Sequence, residues 1–368
     1  MVYNYSENER RNPIMKILIT APSLNPNRNV SGVSTIVQSI IKYNNGHQYY
    51  HYLLGSVDKK TNKLLWGIQL IKQFLVFPFF VNKNKIEIVH QNLPFDPKGV
   101  LREFVINYLC NLLRIPVILH LHGGMFITQG TNNKIFIKLI QFIFNHSKQV
   151  IVLSEEEGFL LKEKFAYDKA VVLPNCVDSS IFKCVEKTQN HNKRILLYLG
   201  RIEENKGVYE LIEALQKLKN EFDFRFFLCG TGPLLEYCVE AFGSILGNDF
   251  EYKGVVSGES KIKIIKESDI FILPSYFEGM PMALLETMTA GVVPIVTNVG
   301  SMKHIIKHDI NGLLIEKQNS NDLYEKLKYI LSNPKQYQKL SINAQSTIKE
   351  NYDIEKYIIK LNEIYLNR

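Results

Sequence analysis

Short, continuously apolar runs recur along this chain, and a longer amphipathic stretch follows most of them. KILIT (16–20), HYLLG (51–55), IEIVH (86–90), VILHL (117–121), QVIVL (149–153) and AVVLP (170–174) form one series. RILLYLG (194–200), FRFFLCG (224–230), FEYKG (250–254), IFILP (270–274) and VPIVT (293–297) form a second. A strand with one wet face alternates apolar and polar residues. A continuous apolar run is buried on both faces, which implies parallel sheets sandwiched between helices. PNCVDSSIFKCVEKTQNHNK (174–193) separates the two series and is polar, with proline and asparagine, as a linker is. The expected fold class is α/β, with two doubly wound Rossmann-like domains. A length of 368 residues suits two cores better than one.

The expected divisions are a loosely ordered segment 1–14, a first domain 15–175, a linker 176–193, a second domain 194–350 and a closing helix 351–368. Residues 321–366 read as three helices broken at Asn333-Pro334 and near Tyr352-Asp353, the last packing back on the first domain.

Composition narrows the setting. Five cysteines form no CxxC pair and are odd in number, which reads as reduced thiols in a cytoplasmic protein. No His/Cys cluster has metal-ligand spacing. The polar start MVYNYSENERRNP is not a secretory signal. LLWGIQLIKQFLVFPFFV (64–81) is interrupted by Gln69, Lys72, Gln73 and Pro78, so it falls short of the ~18 apolar residues of a membrane span. It reads as a largely buried helix and loop in preference to a membrane-surface segment. The net charge is +8: residues 1–185 hold 21 Lys and Arg against 12 Asp and Glu, so +9, and the remainder 23 against 24, so −1. Such a half attracts phosphates or anionic headgroups. Basic residues do not interleave with aromatics in a nucleic-acid motif, which disfavours that partner.

Doubly wound sheets bind ligands beyond the carboxyl ends of their strands. The residues there are informative. Gly200-Arg201 to Lys206-Gly207 bring two cations to a helix entry, which suits a diphosphate. Gly230-Thr231-Gly232-Pro233 lets backbone approach a ligand or a neighbouring loop, with Pro233 at a first helical position. In Ser275-Tyr-Phe-Glu278-Gly279-Met280-Pro281, Pro281 reads as the start of a helix whose free Ala283 and Leu284 amides face a phosphate. Glu278 then lies in the loop and Glu286 on the helix, off a common face. Each reaches a different end of one elongated ligand: Glu278 its sugar, Glu286 its ribose. Taken singly, each glutamate is an ordinary loop or helix-surface residue. In the first half, Asn29-Val-Ser31-Gly32 follows a strand, and His122-Gly123-Gly124 points to a cleft.

Gly200-Arg201…Lys206-Gly207, Gly230-Thr-Gly232-Pro233 and Glu278-x7-Glu286, in this order, resemble the retaining glycosyltransferases of family 4, which have the two-domain GT-B architecture. Pro174-Asn175-Cys176-Val177-Asp178…Phe182 is similar to the PNGVD…F segment of that family, with Cys176 in place of its glycine. Ser31-Gly32 stands where the family has Gly-Gly. The resemblance implies two domains facing each other across a cleft, with C-terminal helices closing back on the first. It implies a nucleotide-sugar donor, a UDP-sugar in preference to a GDP-sugar, and a saccharide or lipid-linked acceptor in bacterial surface polysaccharide or glycolipid assembly. It places Arg201 and Lys206 on the diphosphate, Glu278 on the donor sugar, Glu286 on the ribose, His122 at the sugar and Gly32 near phosphate and acceptor. Gly230, Gly232, Gly279, Met280, Pro281, Ala283 and Leu284 line the donor site. No cofactor is implied and no metal, in keeping with the lack of a DxD triplet.

A lipid-linked acceptor would put Lys59, Lys60, Lys63, Trp66 and Phe77 at an anionic bilayer on the inner membrane face. A sugar-nucleotide epimerase and a non-catalytic sugar-nucleotide-binding subunit remain as alternatives. The oligomeric state is open.

Overall fold

A computed structural model of the chain describes residues 14–25, 29, 31–55, 63–182 and 193–367, with backbone alone for 63–66. Lys59, Lys60 and Cys184 lie outside the described residues, as do residues 1–13 and 183–192 of the expected leader and linker.

Two six-stranded parallel sheets form the frame. The first holds β1 (Lys16–Ala21), β2 (Gln48–Leu53), β3 (Ile88–Leu93), β4 (Val117–Leu121), β5 (Gln149–Val152) and β6 (Ala170–Val172), in the order β2-β1-β3-β4-β5-β6. The second holds β7 (Arg194–Leu199), β8 (Phe224–Cys229), β9 (Phe250–Gly254), β10 (Ile270–Leu273), β11 (Val293–Thr297) and β12 (Leu313–Ile315), in the order β12-β11-β10-β7-β8-β9. Helices α1 (Gly32–Tyr43), α2 (Lys63–Asn84), α3 (Pro97–Leu112), α4 (Met125–Gln129), α5 (Lys134–Asn145) and α6 (Glu155–Phe165) belong to the first half. Helices α7 (Val208–Leu218), α8 (Leu235–Leu246), α9 (Gly258–Glu267), α10 (Met282–Thr289), α11 (Met302–Ile305), α12 (Ser320–Ser332) and α13 (Pro334–Asn351) belong to the second. Helix α14 (Ile354–Leu366) returns to the first sheet.

The apolar runs are continuous because each strand feeds two cores. In β1, Ile17 and Ile19 pack with α1 and α14, while Leu18 between them packs with α2 and α3 on the other face. The return of α14 buries Ile354, Tyr357, Leu361, Ile364 and Tyr365 against that first face. The chain crosses between the halves twice, and the crossings touch: Val177 forms a β-bridge with Asp353.

Three expectations need correction. The sequence pattern carries no sign of strand β12, because three residues are too short to give a period. Residues 64–81 are helix throughout, with no loop, and from 67 to 81 the side chains are mostly exposed or half-buried. One helix runs through Pro78, and it exposes Ile68, Ile71, Leu75 and Phe79, spaced three and four apart along one side. Phe77 faces the opposite way, fully buried beside Val81, so it cannot meet a bilayer. A helix apolar all round hides which face is the core face.

Strand order places the site. In the second sheet the order reverses between β7 and β10, and in the first between β1 and β3. Crevices open outside the carboxyl ends of strands at such reversals. The loops that leave β7 and β10 therefore flank one crevice, and the loop after β1 borders the other.

Candidate active site

The loops after β7 and β10 are built as a pair. The Tyr276 amide donates to the Asn205 carbonyl at 2.8 Å. Lys206 closes a short 3-10 turn, Glu204–Lys206, and its Nζ lies 2.8 Å from Glu278 Oε1. Ser275 Oγ donates to the same oxygen at 2.8 Å. Both charged side chains of this pair are mostly buried, 17% and 14% exposed, so little solvent screens it. Arg201 differs. Its side chain is 70% exposed and its ion pair is with Glu203, at 3.5 Å. The two cations of the loop thus have separate partners.

Glu286 is buried on α10, and Lys261 of α9 reaches it at 2.5 Å. Glu278 and Glu286 each carry a lysine of their own. Helix α10 begins at Met282, one residue later than the sequence implied. Pro281 has a helical φ but an extended ψ of 121°, which makes it the cap. Its carbonyl accepts the Leu284 amide at 3.1 Å, so that amide is not free. The amides of Met282 and Ala283 remain at the helix start.

Gly230 and Gly232 serve the neighbouring loop. A Cβ on Gly230 would overlap the Gly200 carbonyl, and one on Gly232 the Ile202 carbonyl. These glycines set the shape of the Arg201 loop from behind. Pro233 precedes the helix instead of starting it: α8 begins at Leu235, with Leu234 as cap.

The first half supplies the opposite wall. A Cβ on Gly32, the first residue of α1, would sit 3.5 Å from Met282 Cγ, so the starts of α1 and α10 face each other. Ser31 caps α1 by accepting the Ser34 amide. The His122-Gly123 backbone meets the Glu278-Gly279 loop. A Cβ on Gly123 would lie 3.0 Å from the Gly279 Cα. His122 follows β4 and is partly buried; its Nε2 is 2.6 Å from Asn92 Oδ1. Burial pushes its pKa down to about 3, so the ring is neutral.

The 278–281 loop is anchored on both sides. Asn175 Nδ2 donates to the Met280 carbonyl at 3.0 Å, and Met280 is itself buried. Ser301 Oγ donates to the Gly279 carbonyl. Glu156 of α6 binds Lys303 and His304 of α11 at 2.8 and 3.2 Å, a further link between halves.

Lys206, Glu278, Gly279, Met282 and Ala283 thus lie on loops and a helix start that meet Gly32 and the His122-Gly123 turn of the first half. The two walls come from different sheets. One wall offers a cation, a carboxylate and a helix start to an anionic, hydroxyl-bearing ligand. Sequence reasoning missed Ser275, Lys261 and Asn92. Lys261 sits in an ordinary amphipathic helix, 25 residues from its partner, and no spacing rule points to it.

The model for "Glycosyl transferases group 1" matches residues 182–347, and that for "Glycosyltransferase Family 4" matches residues 47–181. An uncharacterized glycosyltransferase of Methanocaldococcus jannaschii is 26% identical, covering 91% of this chain and 94% of its own length. The UDP-Gal:alpha-D-GlcNAc-diphosphoundecaprenol alpha-1,3-galactosyltransferase of Escherichia coli is 24% identical, over 82% and 80%. Anabaena HepE, solved in complex with UDP-glucose, superposes with a TM-score of 0.75 at 16% identity, over 95% of this chain and 99% of that one. At that identity the superposition speaks for the fold.

Proposed function

Because this chain belongs to the family 4, group 1 glycosyltransferases, we propose that it moves a hexose from a nucleotide-sugar donor to a saccharide or lipid-linked saccharide, retaining the anomeric configuration. The observation that carries this reading is the pairing of Lys206 with Glu278 opposite His122, beside the facing starts of α1 and α10. The donor diphosphate lies on Lys206 and the Met282 and Ala283 amides, with Arg201 turning in from solvent. Glu278 receives hydroxyls of the sugar and Glu286 the ribose diol. The bond from the sugar's anomeric carbon to the phosphate oxygen breaks, and its electron pair leaves on the diphosphate. The acceptor hydroxyl bonds to the same face of that carbon, and its proton passes to the leaving phosphate. Lys206 and Arg201 stabilise the charge that develops there, with no metal required. A UDP-sugar is the favoured donor; HepE binds UDP-glucose and the E. coli relative is named for UDP-Gal. Cytoplasmic polysaccharide or glycolipid assembly is the setting.

A thermal-shift screen of nucleotide sugars tests the donor. Bound ligand raises apparent stability by about 2.7 kcal/mol at a hundredfold excess over Kd, so one donor stands out. Labelled donor must then yield free nucleoside diphosphate and a glycoside with the donor's anomeric configuration. Epimerised donor without transfer favours the epimerase reading instead.

The acceptor side implies a surface. Helices α2, α3 and α5 cover one face of the first sheet. Outward they present Ile68, Ile71, Leu75, Phe79, Leu101 and Leu112. These helices carry seven Lys and Arg, against the single carboxylate Glu103, which is buried and paired with Arg102. Among the described residues no helix is long and apolar enough to cross a membrane. An apolar stripe with an excess of cations fits an anionic lipid surface. The protein should sediment with vesicles containing phosphatidylglycerol and not with neutral ones. Leu75→Asp and Phe79→Asp should each lower that partition by about tenfold, the value of one apolar side chain. Equal recovery with neutral and anionic vesicles contradicts the contact.

A further inference from the structure

Buried histidine chemistry beneath the cleft carries a specificity rule that rests on the placement of His122 at the donor sugar. Asn92 on β3 is buried, and its side chain is oriented by its partners. Its Nδ2 lies 2.7 Å from the Thr20 carbonyl oxygen, which can only accept. The atom facing His122 is therefore the amide oxygen, and that oxygen also only accepts. The backbone amide of Asn92 is held in turn by Thr20 Oγ1 at 3.0 Å, which fixes the residue in its strand. His122 Nε2, at 2.6 Å, must donate and so must carry the hydrogen.

We propose that Asn92 is a positioning residue that locks His122 as the Nε2–H tautomer, so that the ring offers the donor sugar a bare, hydrogen-bond-accepting Nδ1. A bare nitrogen takes a hydroxyl and repels a carboxylate. The site then favours a neutral hexosyl donor that presents a hydroxyl to Nδ1 over a hexuronosyl donor that presents its acid there, by roughly a hundredfold or more in kcat/KM. Of the other titratable groups around His122, the two buried histidines supply no competing proton, while Glu157 titrates near neutral pH and is separated by its own variant. His120 lies tilted against His122 at 4.2 Å between ring centroids, and His90 follows, bonded to His120 and to Tyr365 Oη. Burial keeps both histidines neutral. Glu157 of α6 approaches Gly123, and burial raises its pKa to about 7.

Nitrogen-15 histidine spectra of the full chain test this directly, with the His122 signals assigned by their loss in His122→Gln. The wild type should show a protonated Nε2 and an unprotonated Nδ1 from about pH 6 to about pH 8. A proton on Nδ1 overturns the proposal. Asn92→Asp replaces the amide with an anion, which favours the imidazolium and raises the His122 pKa. Nδ1 should then bind a proton at the acid end of that range and lose it as pH rises. At low pH the hexuronosyl donor should gain at least about tenfold relative to the hexosyl donor. The same profile in a Glu157→Gln background assigns it to His122. An unchanged His122 titration and an unchanged donor ratio also overturn the proposal. The spectra need no turnover, so a failure of glycosyl transfer itself is seen separately.

Discussion

Lys206→Ala should lower kcat by about a hundredfold to a thousandfold, the usual cost of removing one preorganised group from developing charge. The same substitution should also lower the melting temperature, because Glu278 is left mostly buried without its cation. These two effects have different causes and can be separated. Lys206→Met with Glu278→Gln removes the stranded charge while keeping the bulk, so thermal stability should return. Turnover should not return, since neither the diphosphate cation nor the sugar carboxylate is restored. Recovery of both together would make Lys206 a structural ion-pair partner and nothing more. Arg201→Ala should leave stability unchanged, because the side chain is 70% exposed, while turnover falls if that arginine closes on bound donor. Steady-state kinetics with the donor found by screening, alongside thermal melts, checks each variant.

Gly279→Val should abolish turnover by a different route. A Cβ at residue 279 would stand 3.3 Å from the Gly123 Cα, tighter than ordinary contact. Gly279 does not have a positive φ, so valine meets no left-handed backbone strain there. The obstacle is the opposing turn of the first half, and the added methyl groups wedge the two loops apart. Misplacing reacting groups by about 1 Å can cost a hundredfold. We expect kcat to drop by at least that factor while the melting temperature moves little. Gly232→Val is the contrast: its side chain would strike the Ile202 carbonyl inside one half, so stability should fall first. If Gly279→Val keeps normal turnover, the groove is not formed by these two loops.

Both results depend on loops that were legible from sequence, because the rule for doubly wound sheets names the residues after each strand. The fold was legible for a related reason: strands such as β1 and β10 are apolar on both faces. Legibility failed where burial and polarity part company. Strand β3 extends to Leu93 through Gln91 and Asn92, and the apolar criterion stopped at His90. Those two amides are buried because Glu103 and Thr20 satisfy them. Strand β2 is an edge strand with half-exposed side chains, so its start at Gln48 gave little signal. Helix α2 hides its buried face in the sequence because its apolar residues encircle it. At the site, the missing residues were the partners of visible ones. Lys261, Ser275 and Asn92 hold Glu286, Glu278 and His122, and tertiary packing alone brings two of these pairs together. The free Leu284 amide was lost for a local reason, the extended ψ of Pro281.

The most direct measurement is a crystal structure of the protein with its nucleotide-sugar donor bound. The expected density places the diphosphate within hydrogen-bonding reach of Lys206 Nζ and the Ala283 amide, with the sugar between Glu278 and His122. A diphosphate seated outside the groove between the two sheets, with the Lys206–Glu278 pair untouched, would contradict the assignment of this site.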